Sequence, residues 1–431
     1  MPVEALGVII LFGLLFILMF IKVPISFALG ISSVITAIYL DIPLLLLFQR
    51  MVSGLNSFTF LAVPFFIICA QIMTDGGISD KLMKFANVLV GRIRGGTAMV
   101  NIIASMFFGG ISGSSVADVS SIGGILIPGM IKEGYDKDYS VAVTVTSSVQ
   151  GVIIPPSQNM IYYALAAGGL SISQLFLAGY IPGILLGILI VIPAYVIARK
   201  RNYPVGEKYT FLEGISISFD AILGLLTVVI IIGGVVGGIF TATESAAVAA
   251  VYGLLITIFS YKNMTVKKFI KILTSSSSTL ATILAIIVTS AAFGFLLSYL
   301  KVPAMIANLF ISISSNPIVI MLLINLLLLV IGMFMDMGVL ILLLTPILLP
   351  IATSIGYDPI HFGIIMILNL GLGLCTPPVG TSLFVGCVIA DLPIEKSIKA
   401  FLPFYAAMII GLLIIIFVPQ VSLWLPSVFS Y

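Results

Sequence analysis

The sequence predicts an all-α, polytopic membrane protein built from two inverted-topology repeats, each holding a re-entrant helical hairpin and a helix broken by Pro-Pro. Three observations lead there. Of 431 residues, 61% are hydrophobic and 8% are charged, whereas a soluble domain carries about 25% charged residues; apolar runs of roughly 20 residues, each long enough to cross a bilayer, recur throughout. The chain is also a duplication. Shifted by 222 positions, Ile125, Leu126, Pro128, Gly134, Tyr135, Asp136, Gly151, Pro155, Pro156, Leu170, Ile172 and Ala178 fall without a gap on Ile347, Leu348, Pro350, Gly356, Tyr357, Asp358, Gly373, Pro377, Pro378, Leu392, Ile394 and Ala400. Finally, when each span crosses and each hairpin returns, every Lys and Arg except Arg50 and Lys301 gathers on one face. The positive-inside rule makes that face cytoplasmic and puts both termini outside. It also puts the Gly134–Asp136 turn inside and the Gly356–Asp358 turn outside, so the copies are inverted.

In chain order, the first span runs from about Leu6 to Ile21 and stops at Lys22. Only Glu4 precedes it, the pattern of a first span and not of a cleaved signal peptide. A second span follows from Val23 to Leu40, and Ile42 to Leu55, carrying Arg50, suits an interfacial helix. These form N-terminal scaffold helices, residues 1–57. The first repeat, 58–200, opens with a span from Phe58 to Met73 and a polar segment holding Lys81, Lys84, Arg92 and Arg94. Its hairpin, 96–131, enters from the cytoplasmic side around the apex GGISGSSVAD, Gly109 to Asp118. A limb of about 12 helical residues reaches roughly 18 Å, about mid-depth. Tyr139 to Gly168 is too long for one ordinary span and is interrupted at Pro155 and Pro156, so it reads as one crossing made of two half-helices. A span from Leu175 to Ala198 then ends at Arg199, Lys200 and Arg201.

Residues 201–272 form a connector, which carries Lys208, and two further scaffold spans, about Ala221 to Ile239 and Ala246 to Phe259. A lysine-rich loop runs from Lys262 to Lys271. The second repeat, 273–431, has a span to Leu300, a short apolar segment after Pro303, and a periplasmic-side hairpin, 317–350, with the apex GMFMDMG at Gly332 to Gly338. A broken helix from His361 to Ile389 and a last span ending near Trp424 complete it.

Duplication with interrupted hydrophobic segments at matching places is the sequence sign of a secondary transporter, whose site forms where the broken elements meet. The first apex offers Ser112, Ser114, Ser115, Ser120 and Ser121 beside Gly109, Gly110 and Gly113. Hydroxyls and unwound carbonyls suit a hard, weakly bound cation, while half-helix N-termini suit an anion. The competing reading is that these small residues allow close helix packing. Opposite this apex, Ser157, Gln158 and Asn159 occupy the first turn after the break. The second copy sets Thr376, Pro377, Pro378, Val379, Gly380 and Thr381 against Asp336.

Asp118 and Asp336 are the acids nearest the midplane, where a buried carboxylate is costly and tends to be functional. Asp118, beside a limb start, reads both as a helix cap and as a ligand; Asp336, inside an apex, reads as part of the site. Glu244 reads as a helix-entry acid, His361 as structural, and Cys69, Cys375 and Cys387 as buried small residues. No Lys or Arg reaches the midplane. An anionic substrate would therefore need bound cations and half-helix N-termini to neutralise it.

At GGISGSSVADVSSIG, IIPPSQN, FTATESAAVAAVYG and CTPPVGTSLFVG the chain resembles, over nearly its whole length, the large membrane subunit of TRAP transporters. These are the tripartite ATP-independent periplasmic carriers of bacteria and archaea. The resemblance implies an elevator-type ion-transporter fold in the cytoplasmic (inner) membrane, no enzymatic activity, and import driven by Na+ at two sites. It implies as partners a small four-helix membrane subunit, a soluble periplasmic binding protein and the lipid bilayer, and no nucleic acid. The substrates implied are organic acids such as dicarboxylates, sialic acids or sugar acids. Carried onto this chain, one sodium site takes Gly110, Ser112, Gly113, Ser114, Ser115 and Pro155, and the other takes Gly332, Asp336, Gly338, Thr376, Pro377 and Thr381. The substrate would meet Ser112, Ser115, Ser157, Asn159, Asp336, Gly380 and Thr381. The small subunit is expected on the apolar surface of the early spans and of Ala221 to Phe259. The alternative is a stand-alone sodium- or proton-coupled anion carrier, or an ion antiporter, of similar two-hairpin design. A membrane enzyme would need a polar cluster for acid/base or nucleophilic work, and one His with no Cys/His/Asp grouping does not supply it.

Overall fold

The structure, a computed structural model, describes residues 3–56, 58–206 and 209–429 and contains helices without strands among them. Lys208, placed above with the basic face, lies outside the described residues. Among these residues, seven helices are long and apolar enough to cross a membrane, and their outward faces carry large apolar side chains such as Phe16, Ile188, Phe219 and Leu402.

The N-terminal region holds α1 (Val3–Phe20), α2 (Ile25–Tyr39) and α3 (Leu44–Ser53). Pro24 and Pro43 stand at the N-caps of α2 and α3, where a missing N–H costs nothing. A turn at Phe58–Leu61 leads into α4 (Ala62–Asp75), and α5 (Ile78–Val90) follows at a bend of 68°. The segment read as merely polar is therefore a helix. Its Lys81, Lys84 and Asp80 share the chain with a buried row, Ile78, Leu82, Met83 and Ala86, at helical spacing.

The first hairpin is α6 (Gly96–Ser112), then α7 (Ser115–Asp118), a π-helical turn at Val119–Gly123, and α8 (Gly124–Lys132). Its apex is narrower than the ten-residue stretch expected, because α6 continues through Gly109 and Gly110 and only Gly113 and Ser114 leave the helix. The first broken crossing is α9 (Lys137–Ser148), α10 (Gln150–Ile153) and α11 (Gln158–Ala166). Every residue of α9 from Tyr139 on is buried. Its hydroxyls return to its own backbone: Thr144 Oγ1 donates to Ser140 O at 2.8 Å and Thr146 Oγ1 to Ala142 O at 2.7 Å. Away from water, that is how a polar helix satisfies its side chains.

After α12 (Ile172–Lys200), α13 (Phe211–Val236) and α14 (Ala242–Leu255) each begin with a reciprocal Thr/Glu capping box, Thr210 with Glu213 and Thr241 with Glu244. Next, α15 (Val266–Tyr299) takes up much of the lysine-rich loop and at 34 residues is roughly 50 Å long. The apolar segment after Pro303 lies in α16 (Val302–Ile313). The second hairpin is α17 (Pro317–Gly332) and α18 (Met337–Ser354), and the second broken crossing is α19 (Pro359–Leu374) and α20 (Thr381–Ala390). The last span divides into α21 (Ile394–Phe417) and α22 (Gln420–Val428) at Val418 and Pro419.

The copies correspond element by element, α4 and α5 preceding one hairpin as α15 and α16 precede the other. Within each copy, hairpin and broken helix meet backbone to backbone. A Cβ on Gly109 would lie 2.3 Å from Gly151 Cα, and one on Gly373 would lie 2.6 Å from Gly332 C. Buried polar bonds reinforce each crossing: Asn101 Nδ2 donates to Thr144 Oγ1 at 2.6 Å, and Asn369 Nδ2 to Asn325 Oδ1 at 2.7 Å.

The broken helices run antiparallel. Lys137 Nζ, at the start of α9, donates to Asp391 O at the end of α20 (3.3 Å), while Tyr163 OH, late in α11, donates to Pro359 O at the start of α19 (2.6 Å). The Tyr135 turn is fastened to the end of α12, where Asp136 accepts from Arg201 Nη1 at 2.7 Å and from Tyr203 OH at 2.6 Å. Burial, and secondarily the bond to Asp136, raise the Tyr203 pKa, so the phenol stays protonated and remains the donor.

Because the Gly crossings leave no room for a methyl group, Gly109→Ala and Gly373→Ala are each expected to destabilise the protein by about 1–3 kcal/mol. Gly124→Ala, whose Cβ would meet nothing within 4 Å, serves as the control. Thermal unfolding of the three variants in detergent checks this; equal melting of all three would contradict the packing described.

Candidate ion and substrate site

The first apex is made by one glycine and one serine. Gly113 takes φ 62°, the left-handed conformation that ends a helix without a Cβ penalty, and its N–H closes on Gly109 O at 2.9 Å. Ser114 then opens α7, its Oγ accepting Ala117 N at 3.3 Å. The end of α6 leaves carbonyls without intrahelical donors, and the broken helix supplies partners for two at the apex. Gln158 Nε2 donates to Ser112 O at 3.4 Å and Asn159 Nδ2 to Gly113 O at 3.2 Å. Pro155 O faces Gly110, 3.0 Å from where a Cβ would sit. Thus Gly110, Ser112, Gly113, Ser114, Ser115 and Pro155 are brought into one cluster, with Asn159 at its edge.

Ser115 joins three elements. Its Oγ lies 2.6 Å from Ser148 Oγ on α9 and 2.7 Å from Ser382 Oγ on α20, so a hydroxyl of the second copy completes the first cluster. Neither Ser148 nor Ser382 was singled out from the sequence. The duplication offers no signal for them, since the 222-residue shift sets Leu370 and Met160 at the matching positions.

At the second apex Met333 O accepts Gly380 N at 3.3 Å, tying the hairpin to its helix break. Thr381 Oγ1 is buried there without a hydrogen-bond partner, while Thr376 Oγ1 returns to Leu372 O at 2.7 Å. Gly332 lies in the backbone crossing. Asp336 and Gly338 turn elsewhere: Asp336 Oδ1 accepts Gly338 N at 2.9 Å, capping α18, and both residues line a central cavity. Asp118 caps nothing, because the chain stays helical through it (φ −63°, ψ −51°) into the π-helical turn and leaves no helix start to cap. It is fully buried, with Ser105 as its neighbouring hydroxyl and neither carboxylate oxygen hydrogen-bonded among the described residues. Of the two readings open for Asp118 the cap is not made, while Asp336, expected in the site, lines the cavity and also caps α18. The cap is Asp336, at the cavity, and the isolated carboxylate is Asp118, behind it.

The central cavity, ≈220 Å³, is walled by both apices (Gly113 to Val116 and Asp336 to Val339), the first turns of α11, and one face of α15. Of the proposed substrate contacts, Ser115, Asn159 and Asp336 line it. Ser112 lies behind the apex, Ser157 is buried and donates to Val152 O at 2.6 Å, and Gly380 and Thr381 stay at the second break. Three polar contributors stand out beside them: Gln158 and Tyr162, one turn apart on α11, and Thr279 on α15. The first pair could be read from its i, i+4 spacing just after the break. Thr279, inside a serine-rich run, carries no distinguishing pattern. No Lys or Arg lines the cavity.

Glu244 and His361 stand apart from it. Glu244 Oε2 accepts Thr241 N at 2.8 Å in the capping box, and His361 Nδ1 contacts Ser422 Oγ at 2.6 Å, joining α19 to α22. The three cysteines are free and buried.

Exposure distinguishes the serines of the first apex. A cysteine introduced as Ser114→Cys or Asp336→Cys is expected to react with a small water-soluble thiol reagent, and one introduced as Ser115→Cys, at a position 1% exposed, is not. Mass spectrometry after brief labelling reads the difference, and fast labelling at Ser115→Cys would contradict the buried three-serine contact.

Residues 12–421 match the family model described as tripartite ATP-independent periplasmic transporter, DctM component. The chain is 40% identical over 381 residues to the sialic acid TRAP transporter large permease protein SiaM of Vibrio cholerae, covering 88% of this chain and 89% of that one. It is 39% identical over 370 residues to the C4-dicarboxylate TRAP transporter large permease protein DctM of Pseudomonas aeruginosa, covering 86% of each. Its fold is also that of the YdaH transporter of Alcanivorax borkumensis, with a TM-score of 0.64 over 89% of both chains at 14% identity. A family match across nearly the whole length, on a multi-pass helical chain, settles the class: this chain belongs to the DctM component family of tripartite ATP-independent periplasmic transporters and is a transporter permease subunit, not an enzyme.

Proposed function

We propose that the chain is the substrate-translocating subunit of a sodium-coupled, binding-protein-dependent TRAP transporter that imports an organic acid through the cytoplasmic membrane by an elevator movement. The observation that carries this reading is the central cavity. Two hairpin apices and a helix break converge on a carboxylate-bearing pocket with no cationic side chain. An organic anion beside Asp336 requires cations, and the apices supply oxygens: the Ser112 and Gly113 carbonyls, the Ser114 and Ser115 hydroxyls, and in the second copy the unpartnered Thr381 hydroxyl. Hydroxyl and carbonyl oxygens are the ligands such cations take in transporters with discontinuous helices.

The antiparallel course of the two broken helices supports the inverted-repeat reading, in which the Tyr135 turn faces the cytoplasm and the Tyr357 turn and both termini face the periplasm. The elevator reading is supported by the cavity's two kinds of wall. The hairpins and broken helices form one side and α15, outside the hairpin-and-break units, forms the other, so the site can travel along α15. The names of the relatives, one a sialic acid and one a C4-dicarboxylate transporter, support an organic acid as the cargo. The exposed apolar faces of α1, α2 and α13 offer ground for the small membrane subunit, and the soluble binding protein would approach from the periplasmic side.

Coupling tests the reading. If the cations neutralise the substrate, each ligand raises the affinity of the other by the same factor. Uptake into proteoliposomes at graded sodium, with a saturating binding protein, is expected to need higher sodium in Ser115→Ala, Thr381→Ala and Asp336→Asn. Loss of one ligand group costs about 1–3 kcal/mol, or roughly tenfold to a hundredfold in ion affinity. Full uptake on a proton gradient without sodium, or uptake that needs no binding protein, would overturn the proposal in favour of a stand-alone or proton-driven carrier.

A further inference from the structure

A larger cavity, ≈770 Å³, lies beside the central one. It is bounded by α3, the C-terminal half of α15, the turn after α11 and the outer limb of the second hairpin. It opens at the end of the molecule that carries the Tyr357 turn, because Gly168 and Gly169 in its wall follow Tyr163, which reaches Pro359. Leu342 borders both cavities. Along α15, Ile283 and Ile286 face the central cavity, while Ile287 and Ser290 face this one. The two spaces are thus neighbours along a single helix.

Among the described residues, Arg50 is the one cationic side chain lining the larger cavity, and no carboxylate lines it. The guanidinium sits over the Phe295 ring, 5.1 Å from its centroid; that contact orients it without neutralising it. It forms no ion pair among the described residues. Across the same space Ser290, 8% exposed, has an Oγ buried with no hydrogen-bond partner. A guanidinium with no ion pair among the described residues and an unsatisfied hydroxyl thus border one cavity, which is the equipment that a carboxylate needs.

We propose that this cavity is an outer vestibule in which Arg50, assisted by Ser290, receives the carboxylate of the organic acid before it reaches the central cavity. The inference rests on the organic-acid import proposed above. It also divides the labour between charges. Arginine meets the anion outside, and cations bound at the apices meet it inside, so no cationic side chain has to travel with the substrate.

The test is uptake of succinate, sialic acid and gluconate by the complete transporter in proteoliposomes, each with a binding protein that carries it, for wild type, Arg50→Gln, Arg50→Lys and Ser290→Ala. For the acid that wild type transports, Arg50→Gln is expected to raise KM about tenfold, the loss of one charge-assisted hydrogen bond. Its maximal rate and half-saturating sodium should stay unchanged. Arg50→Lys should restore most of the affinity, and Ser290→Ala should give a smaller rise. An unchanged KM in Arg50→Gln, or an Arg50→Lys variant no better than Arg50→Gln, would overturn the vestibule. If the rise in KM appears in vesicles containing anionic lipid and disappears in zwitterionic phosphatidylcholine alone, Arg50 holds an anionic lipid headgroup instead and the inference fails. Should wild type take up none of the three acids, the parent reading fails as well, a result distinct from a transporting wild type that Arg50→Gln merely equals.

Discussion

The structure depends on two places where backbone touches backbone, Gly109 on Gly151 and Gly332 on Gly373. A hairpin limb can reach the break in its neighbouring helix only if nothing stands between their main chains, and in both copies glycine removes the obstruction. Lipid gives helices no hydrophobic reason to associate, so close contact between small residues and a few buried hydrogen bonds must do it. The Asn101–Thr144 and Asn369–Asn325 bonds supply the second part. Once each hairpin is pinned in this way, its apex must lie beside the Pro-Pro break of the same copy.

Placing irregular backbone at membrane depth raises a second demand, because every exposed carbonyl there needs a donor. The two copies answer it differently. In the first, the amides of Gln158 and Asn159 reach back to Ser112 and Gly113, and the hydroxyls of Ser115, Ser148 and Ser382 bond one another. In the second, main chain meets main chain at Met333 and Gly380, and Tyr405 OH donates to Cys375 O at 2.5 Å from α21. The first site is therefore rich in movable side-chain oxygens. The second is built mainly of backbone, with Thr381 as its unsatisfied hydroxyl. Duplicated topology has been kept while the chemistry at the apices has diverged.

This divergence explains what the sequence could and could not disclose. The duplication, the hairpins and the Pro-Pro breaks were legible because they rest on apolar length, Gly and Pro, which act locally. The helix at Ile78–Val90 was hidden because it is short and half polar, so no span-length run marks it. Ser382 was hidden because it serves the other copy's site, a contact that only tertiary structure creates. For Asp118 and Asp336, residue type and position near an apex permit both capping and burial. What decides is whether the chain begins a helix at the aspartate or is already helical there. Asp118 lies inside a continuous helical run, where there is no start to cap, whereas Asp336 is extended and stands at the start of α18.

Charge is the last constraint. The central cavity carries a carboxylate at Asp336, and among the described residues no cationic side chain lines it. Bringing an organic anion into such a place without compensation would set like charges close together in a medium of low dielectric constant, where their repulsion is only weakly screened. A fixed arginine could cancel it, but with Asp336 in the same cavity it would pair with that carboxylate, and the substrate would have to compete with the ion pair. On the coupling proposed above, mobile cations would supply that compensation, arriving with the anion and leaving with it. A cavity whose described lining holds no lysine or arginine is the arrangement that such a coupling needs, because the anion's compensation then has to come and go with it.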